Sequence, residues 1–319
     1  MTGAKGVVVS PESLAGRDLI SLLDYTTEEI QEILDLACEV KANPDHYDRA
    51  LEGKTLFMYF EKPSLRTRVT FEAGMTQLGG HAIYYTAADG KIGVRESVED
   101  VARNLERWVD GAMCRTFSHE MIQNLARNSE IPIINGLTDL LHPCQALADY
   151  QTLMEVKGDL AGKKLAFVGD GNNVANSLMT AGARLGVHVT VITPKGYEPE
   201  GEMVAACRAA ADTAGGTITI GNDLALVEGA DAVYTDVWAS MGQEAEQDKR
   251  NAEFRAYQIN RKVMDMAGED AIFMHCLPAH RGEEVTSDVA DMPRSVIFQE
   301  AENRLHAQKA VMLQVMGGV

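Results

Sequence analysis

Hydroxyl and guanidinium side chains crowd one short segment of the sequence, SLRTR at residues 64–68. The segment follows an apolar run at residues 55–60, and the intervening Pro63 is typical of a helix start. A helix N-terminus has unpaired N–H groups and the positive end of the helix dipole, so it attracts anions. The segment therefore predicts an anion site, most naturally for phosphate. The alternative is an ordinary capped helix with solvent-facing arginines.

Two loops combine histidine, cysteine and proline: HPCQ at residues 142–145 and HCLPAHRG at residues 275–282. Histidine and cysteine can ligate a metal, but this spacing fits no common zinc pattern. The sequence also lacks the Gly-x-Ser-x-Gly turn of serine hydrolases. A neutral His142 beside Gln145 is better suited to hydrogen-bonding a carbonyl or an amide. Each proline could instead simply shape a turn.

A carboxylate and a glycine-rich turn follow two other apolar runs. Asp236 occupies the C-terminal end of a predicted strand, where it could pair with a ligand ammonium or cap a helix. GDGNN at residues 169–173 partly matches a dinucleotide fingerprint, but Val174 replaces the third glycine. Residues 193–195 also lack the acidic partner for a ribose. We interpret this segment as a ligand-facing turn without a nucleotide, whose asparagines could simply hold the backbone.

Alternating strands and helices must position these groups, and such alternation predicts parallel sheets covered on both faces. The fold class is α/β, with two doubly wound parallel-sheet domains at residues 1–150 and 151–319, because a polar, glycine-rich stretch at 158–164 precedes a fresh strand-helix-strand unit. The predicted strands are 55–60, 81–85, 111–115, 131–135, 165–168, 188–192, 217–220, 232–235 and 271–274. The predicted helices lie within 21–41, where Thr26 or Thr27 is the expected N-cap, and at 63–75, 97–108, 144–157, 174–185 and 300–316.

Composition narrows the class of protein further. The chain has 319 residues, 45% hydrophobic and 24% charged, and a formal net charge of -18. This length supports about two domains, and the acidic balance argues against nucleic acid or an anionic membrane as a partner. Five widely spaced cysteines suggest no disulfide framework. We find neither a signal peptide nor a membrane-spanning run, and we expect a cytoplasmic protein.

Seven segments in order resemble the aspartate and ornithine carbamoyltransferase family, and most closely its ornithine-specific members. They are SLRTR at 64–68, CRTF at 114–117, HPCQ at 142–145, GDGNN at 169–173, DVWASMG at 236–242, HCLPAHRG at 275–282 and AENR at 301–304. The resemblance implies two α/β domains with the active site in the cleft, and a final helix, about residues 300–319, that returns to the first domain. It also implies a homotrimer or a multiple of it.

The resemblance also implies the reaction, transfer of the carbamoyl group from carbamoyl phosphate to the δ-amine of L-ornithine, with no metal and no cofactor. It assigns carbamoyl phosphate binding to Ser64, Leu65, Arg66, Thr67, Lys91, Arg115, His142, Gln145, Cys276, Leu277 and Arg304. It assigns ornithine binding to Asn173, Asp236, Ser240 and Met241. The implied catalytic residues are Arg66, Arg115, His142, Asp236 and Cys276.

Two positions depart from the family pattern. Leu65 stands where threonine is usual, which removes a hydroxyl but leaves the backbone N–H. Lys91 stands where many ornithine enzymes have glutamine, and the resemblance implies that it reaches a neighbouring subunit's site. Aspartate is the obvious rival acceptor within the family, but the DxxxSMG and HCLP segments favour a basic amino acid over a dicarboxylate. Putrescine, lysine and acylated ornithine stay open as acceptors. Outside the class, an NAD-dependent dehydrogenase or a non-catalytic amino-acid sensor on the same fold are the alternatives.

Overall fold

The structure is a computed structural model that describes residues 14–239, 242 and 244–319. Within these ranges the strands form two sheets, and every paired strand is parallel to its neighbour. The first sheet has the order β2-β1-β3-β4, with β1 Thr55–Phe60, β2 His81–Thr86, β3 Gly111–Arg115 and β4 Ile133–Leu137. The second has the order β7-β6-β5-β8-β9, with β5 Lys164–Val168, β6 His188–Ile192, β7 Thr217–Gly221, β8 Ala232–Thr235 and β9 Ile272–His275.

Helices connect and cover these strands. In the described part of the chain they are α1 Thr27–Ala42, α2 Leu65–Gln77, α3 Val98–Leu105, α4 His119–Arg127, α5 Pro143–Lys157, α6 Asn173–Arg184, α7 Gly201–Ala214, α8 Gln247–Phe254, α9 Arg261–Ala267, α10 Ser287–Ala290 and α11 Ile297–Val315. None of them is both long and apolar enough to cross a membrane. The predicted α/β fold with two parallel-sheet domains is confirmed.

The central strands bury both faces, and consecutive residues enter different cores. In β1, Leu56 and Met58 pack into the core that also holds α1, α5 and α11. Phe57 and Tyr59 instead face a second core with α3 and α4. Because neither face meets water, the strand sequence is a continuous apolar run rather than an alternating one. That is why the strands at residues 55–60, 111–115 and 232–235 have the predicted bounds; the strand at 188–192 also has them, although His188 and Thr190 are only partly buried.

Helix starts follow local capping chemistry. Thr26 accepts the backbone N–H of Glu29 at 3.2 Å, and the Glu29 carboxylate accepts the Thr26 N–H at 2.8 Å, so a capping box begins α1. The helix predicted within residues 21–41, with Thr26 or Thr27 as its N-cap, is confirmed. The helix predicted over residues 97–108 ends at Leu105, because the next residues form a tight turn in which Trp108 N–H donates to Leu105 O at 2.9 Å.

The strand predicted over residues 131–135 lies two residues later in the structure, where β4 begins at Ile133 and ends at Leu137. Pro132 has no N–H for a sheet ladder, although its carbonyl accepts from Ala112 N–H at 3.0 Å. The C-terminal helix was predicted from about residue 300, and it begins three residues earlier, at Ile297.

Two buried helices bind the sheets together. Helix α5 runs without a break past residue 150, is buried over residues 143–153 and ends before Gly158. Helix α11 follows the last strand of the second sheet but packs most closely against α5, α1 and α2. The predicted return of the final helix to the first domain is confirmed. Both helices therefore carry their side chains to the junction of the two sheets.

Candidate active site

A cavity of about 280 Å³ lies where the C-terminal ends of both sheets face each other. Strand ends of a parallel sheet are where α/β proteins usually bind ligands. All of the predicted site residues that the structure describes, except Lys91, line this cavity: Ser64, Leu65, Arg66, Thr67, Arg115, His142, Gln145, Asn173, Asp236, Cys276, Leu277 and Arg304. The structure thus brings together residues from six of the seven sequence segments and from the described part of the seventh.

The N-terminus of α2 forms one wall. Ser64 is its N-cap, and the Ser64 Oγ accepts the backbone N–H of Thr67 at 3.3 Å. The Leu65 side chain is 75% exposed, so it does not contribute a packed surface to this wall. Its backbone N–H still belongs to the first turn, where an α-helix has no internal acceptor. The departure at Leu65 therefore leaves the anion-attracting geometry of the turn intact.

Two buried arginines converge on the hydroxyl of Thr67. Arg115 ends β3, where the pairing with β4 shifts register after Cys114, and its Nη1 donates to Thr67 Oγ1 at 3.4 Å. Arg304 comes from α11, and its Nη2 donates to the same oxygen at 3.3 Å. Arg304 Nη1 also donates to Gln145 Oε1 at 2.6 Å. The guanidinium groups are thereby held at the mouth of α2.

The positive charges of Arg66, Arg115 and Arg304 lie close enough to repel one another, which favours binding of an anion at this wall. Burial, followed by the charges of Arg304 and Arg66, lowers the pKa of Arg115 to about 9. Burial also lowers the pKa of Arg304, with a further contribution from Arg66. A bound dianion would relieve this repulsion and would accept charge-assisted hydrogen bonds. Three cationic groups are concentrated here in a chain whose net charge is -18.

His142 faces the cavity as a neutral imidazole. It is the N-cap of α5, and its backbone N–H donates to Ser177 Oγ at 2.6 Å, which leaves the ring outside the capping network. Burial, followed by the charges of Arg304 and Arg115, lowers the pKa of His142 well below its ordinary value. A neutral imidazole can donate one N–H to a carbonyl oxygen without adding a fourth positive charge.

The opposite wall is a carboxylate held by a thiol and an amide. Cys276 Sγ donates to Asp236 Oδ1 at 3.0 Å, and Asn172 Nδ2 donates to Asp236 Oδ2 at 2.8 Å. Burial and the charge of Asp236 raise the pKa of the Cys276 thiol well above its ordinary value, so the thiol keeps its proton. Asn172 also caps α6 and thereby links that helix to the carboxylate.

The backbone beside Cys276 has an unusual conformation. Leu277 has φ of 58°, in the left-handed region that non-glycine residues rarely adopt. Its N–H donates to His275 Nδ1 at 2.9 Å, while His275 Nε2 lies 3.1 Å from the Glu284 carboxylate. The ring therefore carries its proton on Nε2 and fixes the backbone at Leu277.

The glycine-rich turn is closed against a neighbouring loop. A Cβ on Gly171 would lie 2.4 Å from the backbone nitrogen of Pro199, and the Gly171 N–H donates to Tyr197 O at 2.8 Å. The second glycine of a dinucleotide fingerprint must instead leave room for a pyrophosphate. Asn173 Nδ2 donates across the cleft to Thr138 O at 2.6 Å. This geometry disfavours a nicotinamide cofactor in the turn.

Comparison with known families agrees with this division of the cavity. The model for the aspartate/ornithine carbamoyltransferase carbamoyl-P binding domain matches residues 17–155, and the model for the family's Asp/Orn binding domain matches residues 161–315. The chain belongs to the aspartate/ornithine carbamoyltransferase family. The family matches leave residues 156–160 between them, at the end of α5, whereas the boundary predicted at residue 150 stays a prediction.

Individual relatives of this carbamoyltransferase chain are similar over almost their whole length. The ornithine carbamoyltransferase of Thermococcus kodakarensis is 53% identical over 312 residues, which are 96% of this chain and 98% of the relative. An ornithine carbamoyltransferase structure from Pyrococcus furiosus superposes with a TM-score of 0.93 at 53% identity, covering 96% of this chain and 99% of that one. The Thermus thermophilus enzyme gives a TM-score of 0.82 at 46% identity, covering 93% and 97%.

Three residues that the family resemblance assigned are not in the described cavity. Lys91 Nζ lies 3.7 Å from Glu61 Oε1 and lines a separate pocket beside Trp108. Its assignment to carbamoyl phosphate stays a prediction that requires a neighbouring subunit. Ser240 and Met241 lie outside the described residues, so their assignment to ornithine also stays a prediction.

Lys62 is a cavity residue that the sequence did not single out. Its side chain is almost fully buried, pairs with Asp139 and lies with Nζ 4.2 Å from the centre of the Phe117 ring. Lysine usually reaches solvent, so nothing in the sequence distinguishes this one. In the carbamoyltransferase cavity it adds positive charge next to the first turn of α2.

One group of potential metal ligands adjoins the cavity: Asp236, His275 and Cys276 offer ligand atoms within 4.8 Å of one another. Each of these atoms already has a hydrogen-bonding partner. His275 uses one nitrogen for Leu277 and the other for Glu284, and the thiol donates to the carboxylate. The residues therefore fit a hydrogen-bonded network better than a metal centre, and the absence of a metal stays a prediction.

Proposed function

We propose that this protein transfers the carbamoyl group of carbamoyl phosphate to the δ-amine of L-ornithine, giving L-citrulline and phosphate. One observation carries the proposal: a single cavity joins a wall of buried arginines at a helix N-terminus to a wall with a carboxylate and a protonated thiol. The first wall suits the phosphate group of an acyl phosphate and the second suits an amine. The family and its ornithine-named relatives support the same pairing of substrates.

Carbamoyl phosphate would bind against the first wall. Arg66, Arg115 and Arg304 would neutralise the phosphate, with Ser64 and Thr67 at the first turn of α2. His142 would donate its N–H to the carbamoyl oxygen. Gln145 and the Leu277 carbonyl would then receive the carbamoyl amide. Arg115 and Arg304 both donate to Thr67 Oγ1, which directs the two guanidinium groups toward one point and supports this placement.

Ornithine would bind against the second wall. Asp236 would hold the α-ammonium, Asn173 would lie near the carboxylate, and Ser240 and Met241 would complete the site. Cys276, with the Leu277 carbonyl, would receive the δ-amine. The hydrogen bonds from Asn172 and Cys276 support the role of Asp236, because they hold its carboxylate at the cavity.

The chemistry then follows from proximity and charge. The neutral δ-amine attacks the carbamoyl carbon, a C–N bond forms, and the carbonyl oxygen gains negative charge that His142 and the arginines stabilise. The bond between the carbamoyl carbon and the oxygen that bridges to phosphorus breaks, and phosphate leaves. The amine loses one proton, which phosphate carries away as its monohydrogen form. Orientation and exclusion of water supply the remaining barrier reduction, and no metal or cofactor enters these steps.

We also propose the domain roles, assembly and setting. Residues 1–150 would bind carbamoyl phosphate and residues 151–319 ornithine, with the final helix returning to the first part. The chain would form a homotrimer or a multiple of it in the cytoplasm. A relative from Pyrococcus furiosus carries the name "Ornithine carbamoyltransferase, anabolic", which supports a biosynthetic role in making arginine.

The decisive experiment is a panel of acceptors at saturating carbamoyl phosphate, scored as both ureido product and phosphate release. We expect turnover with ornithine to exceed that with acetylornithine, putrescine, lysine and aspartate. Selective turnover of another amine would keep the reaction and replace the acceptor. Folded protein that binds ornithine but turns over none of these amines would overturn the proposal in favour of a sensor.

A further inference from the structure

Two acidic side chains lie together behind the cavity and belong to neither of its walls. Asp149 on α5 and Glu300 on α11 are both fully buried. The same amide nitrogen, Gln145 Nε2, donates to Asp149 Oδ1 at 2.8 Å and to Glu300 Oε1 at 3.2 Å. Neither acid lines the cavity, so neither would touch the substrates.

The two carboxyl groups have unequal surroundings. Glu300 also accepts the hydroxyl of Tyr234 at 3.1 Å on Oε1 and the backbone N–H of His275 at 2.9 Å on Oε2. Within the described ranges, no donor reaches Asp149 Oδ2. Both Glu300 oxygens are therefore acceptors, while one oxygen of Asp149 is free to carry a hydrogen.

Two buried carboxylates at this separation repel each other strongly, so one of them must hold a proton. The Gln145 side chain lies between the positive charge of Arg304 and both acids. Burial raises the pKa of both acids. The pair therefore carries one negative charge at neutral pH.

The pair connects both walls of the cavity. Gln145 lies one helical turn before Asp149, and Arg304 lies one turn after Glu300. Because Gln145 Nε2 donates to the two acids, Gln145 must present Oε1 to Arg304, and the amide group cannot flip to exchange its nitrogen and oxygen. On the other side, Glu300 accepts from Tyr234 of β8 and His275 of β9, whose strands lead to Asp236 and Cys276.

We propose that Asp149 and Glu300 share a single proton, carried on Asp149, and act as a positioning pair that orients Gln145 and Arg304 toward carbamoyl phosphate. The pair also fixes these residues relative to the ends of β8 and β9. This inference rests on the proposed function for its substrates, but the position of the proton does not.

Two isosteric variants distinguish the acids. Asp149→Asn keeps an oxygen for Gln145 and supplies an N–H in place of the proton, so we expect kcat and both KM values to stay within about threefold of the wild type. Glu300→Gln places an NH2 group against donors on either side. We expect it to lower kcat and to raise KM for carbamoyl phosphate, by about 10- to 100-fold together, more than KM for ornithine.

Glu202→Gln on the exposed face of α7 is the matched control, and thermal unfolding of each variant checks that it is folded. Infrared difference spectra read the proton directly. The carbonyl stretch of a buried carboxylic acid should be present in the wild type, absent from Asp149→Asn and retained in the control.

The outcomes separate the two proposals. Wild-type protein that turns over ornithine, with equal losses in Asp149→Asn and Glu300→Gln or no change in either, would overturn the positioning pair. So would the loss of the acid band from Glu300→Gln with its retention in Asp149→Asn. If the wild type itself is inactive, the proposed function fails, while inorganic phosphate binding to the same variants still tests the orientation of Arg304.

Discussion

Arg304 Nη2 lies 3.3 Å from Thr67 Oγ1, although 237 residues separate the two side chains in the sequence. Arg115 Nη1 approaches the same oxygen at 3.4 Å. One threonine hydroxyl is therefore the meeting point of the first turn of α2, the end of β3 and the last helix.

Arg304→Lys preserves the charge but not the geometry. Two nitrogens of the planar Arg304 guanidinium donate to Gln145 Oε1 and to Thr67 Oγ1. The single nitrogen of a lysine ammonium cannot occupy both positions, so we expect it to keep only one of the two hydrogen bonds. A lost charge-assisted hydrogen bond costs about 1.5–3 kcal/mol, so Kd for carbamoyl phosphate should rise about 10- to 100-fold. Titration calorimetry measures it, with the exposed Arg49→Lys as control. Unchanged affinity would contradict the role of these two hydrogen bonds.

Asp236→Asn should affect the acceptor more than the carbamoyl donor. The new NH2 group would oppose the Asn172 amide or the Cys276 thiol, both of which donate to this carboxylate. An unsatisfied buried donor costs about 1–3 kcal/mol, so KM for ornithine should rise at least about fivefold. Steady-state kinetics with each substrate varied measures the effect. Asp212→Asn on α7 is the control, and a selective loss of carbamoyl phosphate affinity would count against this assignment.

The depressed pKa of His142 makes stability depend on pH. The unfolded chain binds a proton on this imidazole near its ordinary pKa of 6.5, whereas the folded protein resists protonation to a much lower pH. Below about pH 6.5 the unfolded state thus binds more protons, and the contribution of His142 to folding stability falls as pH falls.

His142→Gln removes this dependence and also slows turnover. The free energy of unfolding of the wild type should decline relative to the variant by up to about 1.4 kcal/mol per pH unit between about pH 6.5 and pH 5. Denaturant titrations at several pH values measure the difference, and the exposed His46→Gln serves for comparison. Parallel curves for wild type and His142→Gln would show that the imidazole has the same pKa in the folded protein as in the unfolded chain, which would contradict the prediction.

Two glycines should respond oppositely to alanine. A methyl group on Gly171 would meet the backbone of Pro199 at 2.4 Å, whereas one on Gly201 has nothing within 4 Å. Gly171→Ala should lower the free energy of unfolding by about 1–3 kcal/mol, and Gly201→Ala should raise it by about 0.4–1 kcal/mol. Chemical denaturation measures both. A fully stable Gly171→Ala would mean that the turn is open, as a nucleotide would require.

The sequence predicts most of the sheet framework because both faces of these strands are buried. Continuous apolar runs have sharp ends, so the bounds of β1, β3 and β8 agree with the predicted ones, as do those of the partly buried β6. Helices α4, α7, α8, α9 and α10 were not predicted. The first is short, and the second is rich in alanine, which gives a weak contrast between buried and exposed faces.

The site was predictable where a motif combines residues of one segment, as at Thr67 and His142. It was not predictable where the partner is an ordinary residue from elsewhere in the chain. Asp149 and Glu300 each look like a solvent-facing acid on a helix, and only the packing of α5 on α11 reveals that they are buried together. Lys62 was missed for the same reason.

Helix α11 is synthesised after every strand of both sheets, yet it supplies Arg304 to the anion wall and Glu300 to the acid pair. A growing chain on the ribosome can therefore complete both sheets while its anion site still lacks one arginine. On the proposed assignment of Arg304 to carbamoyl phosphate, full affinity for this substrate would be reached only after α11 has emerged from the exit tunnel and docked.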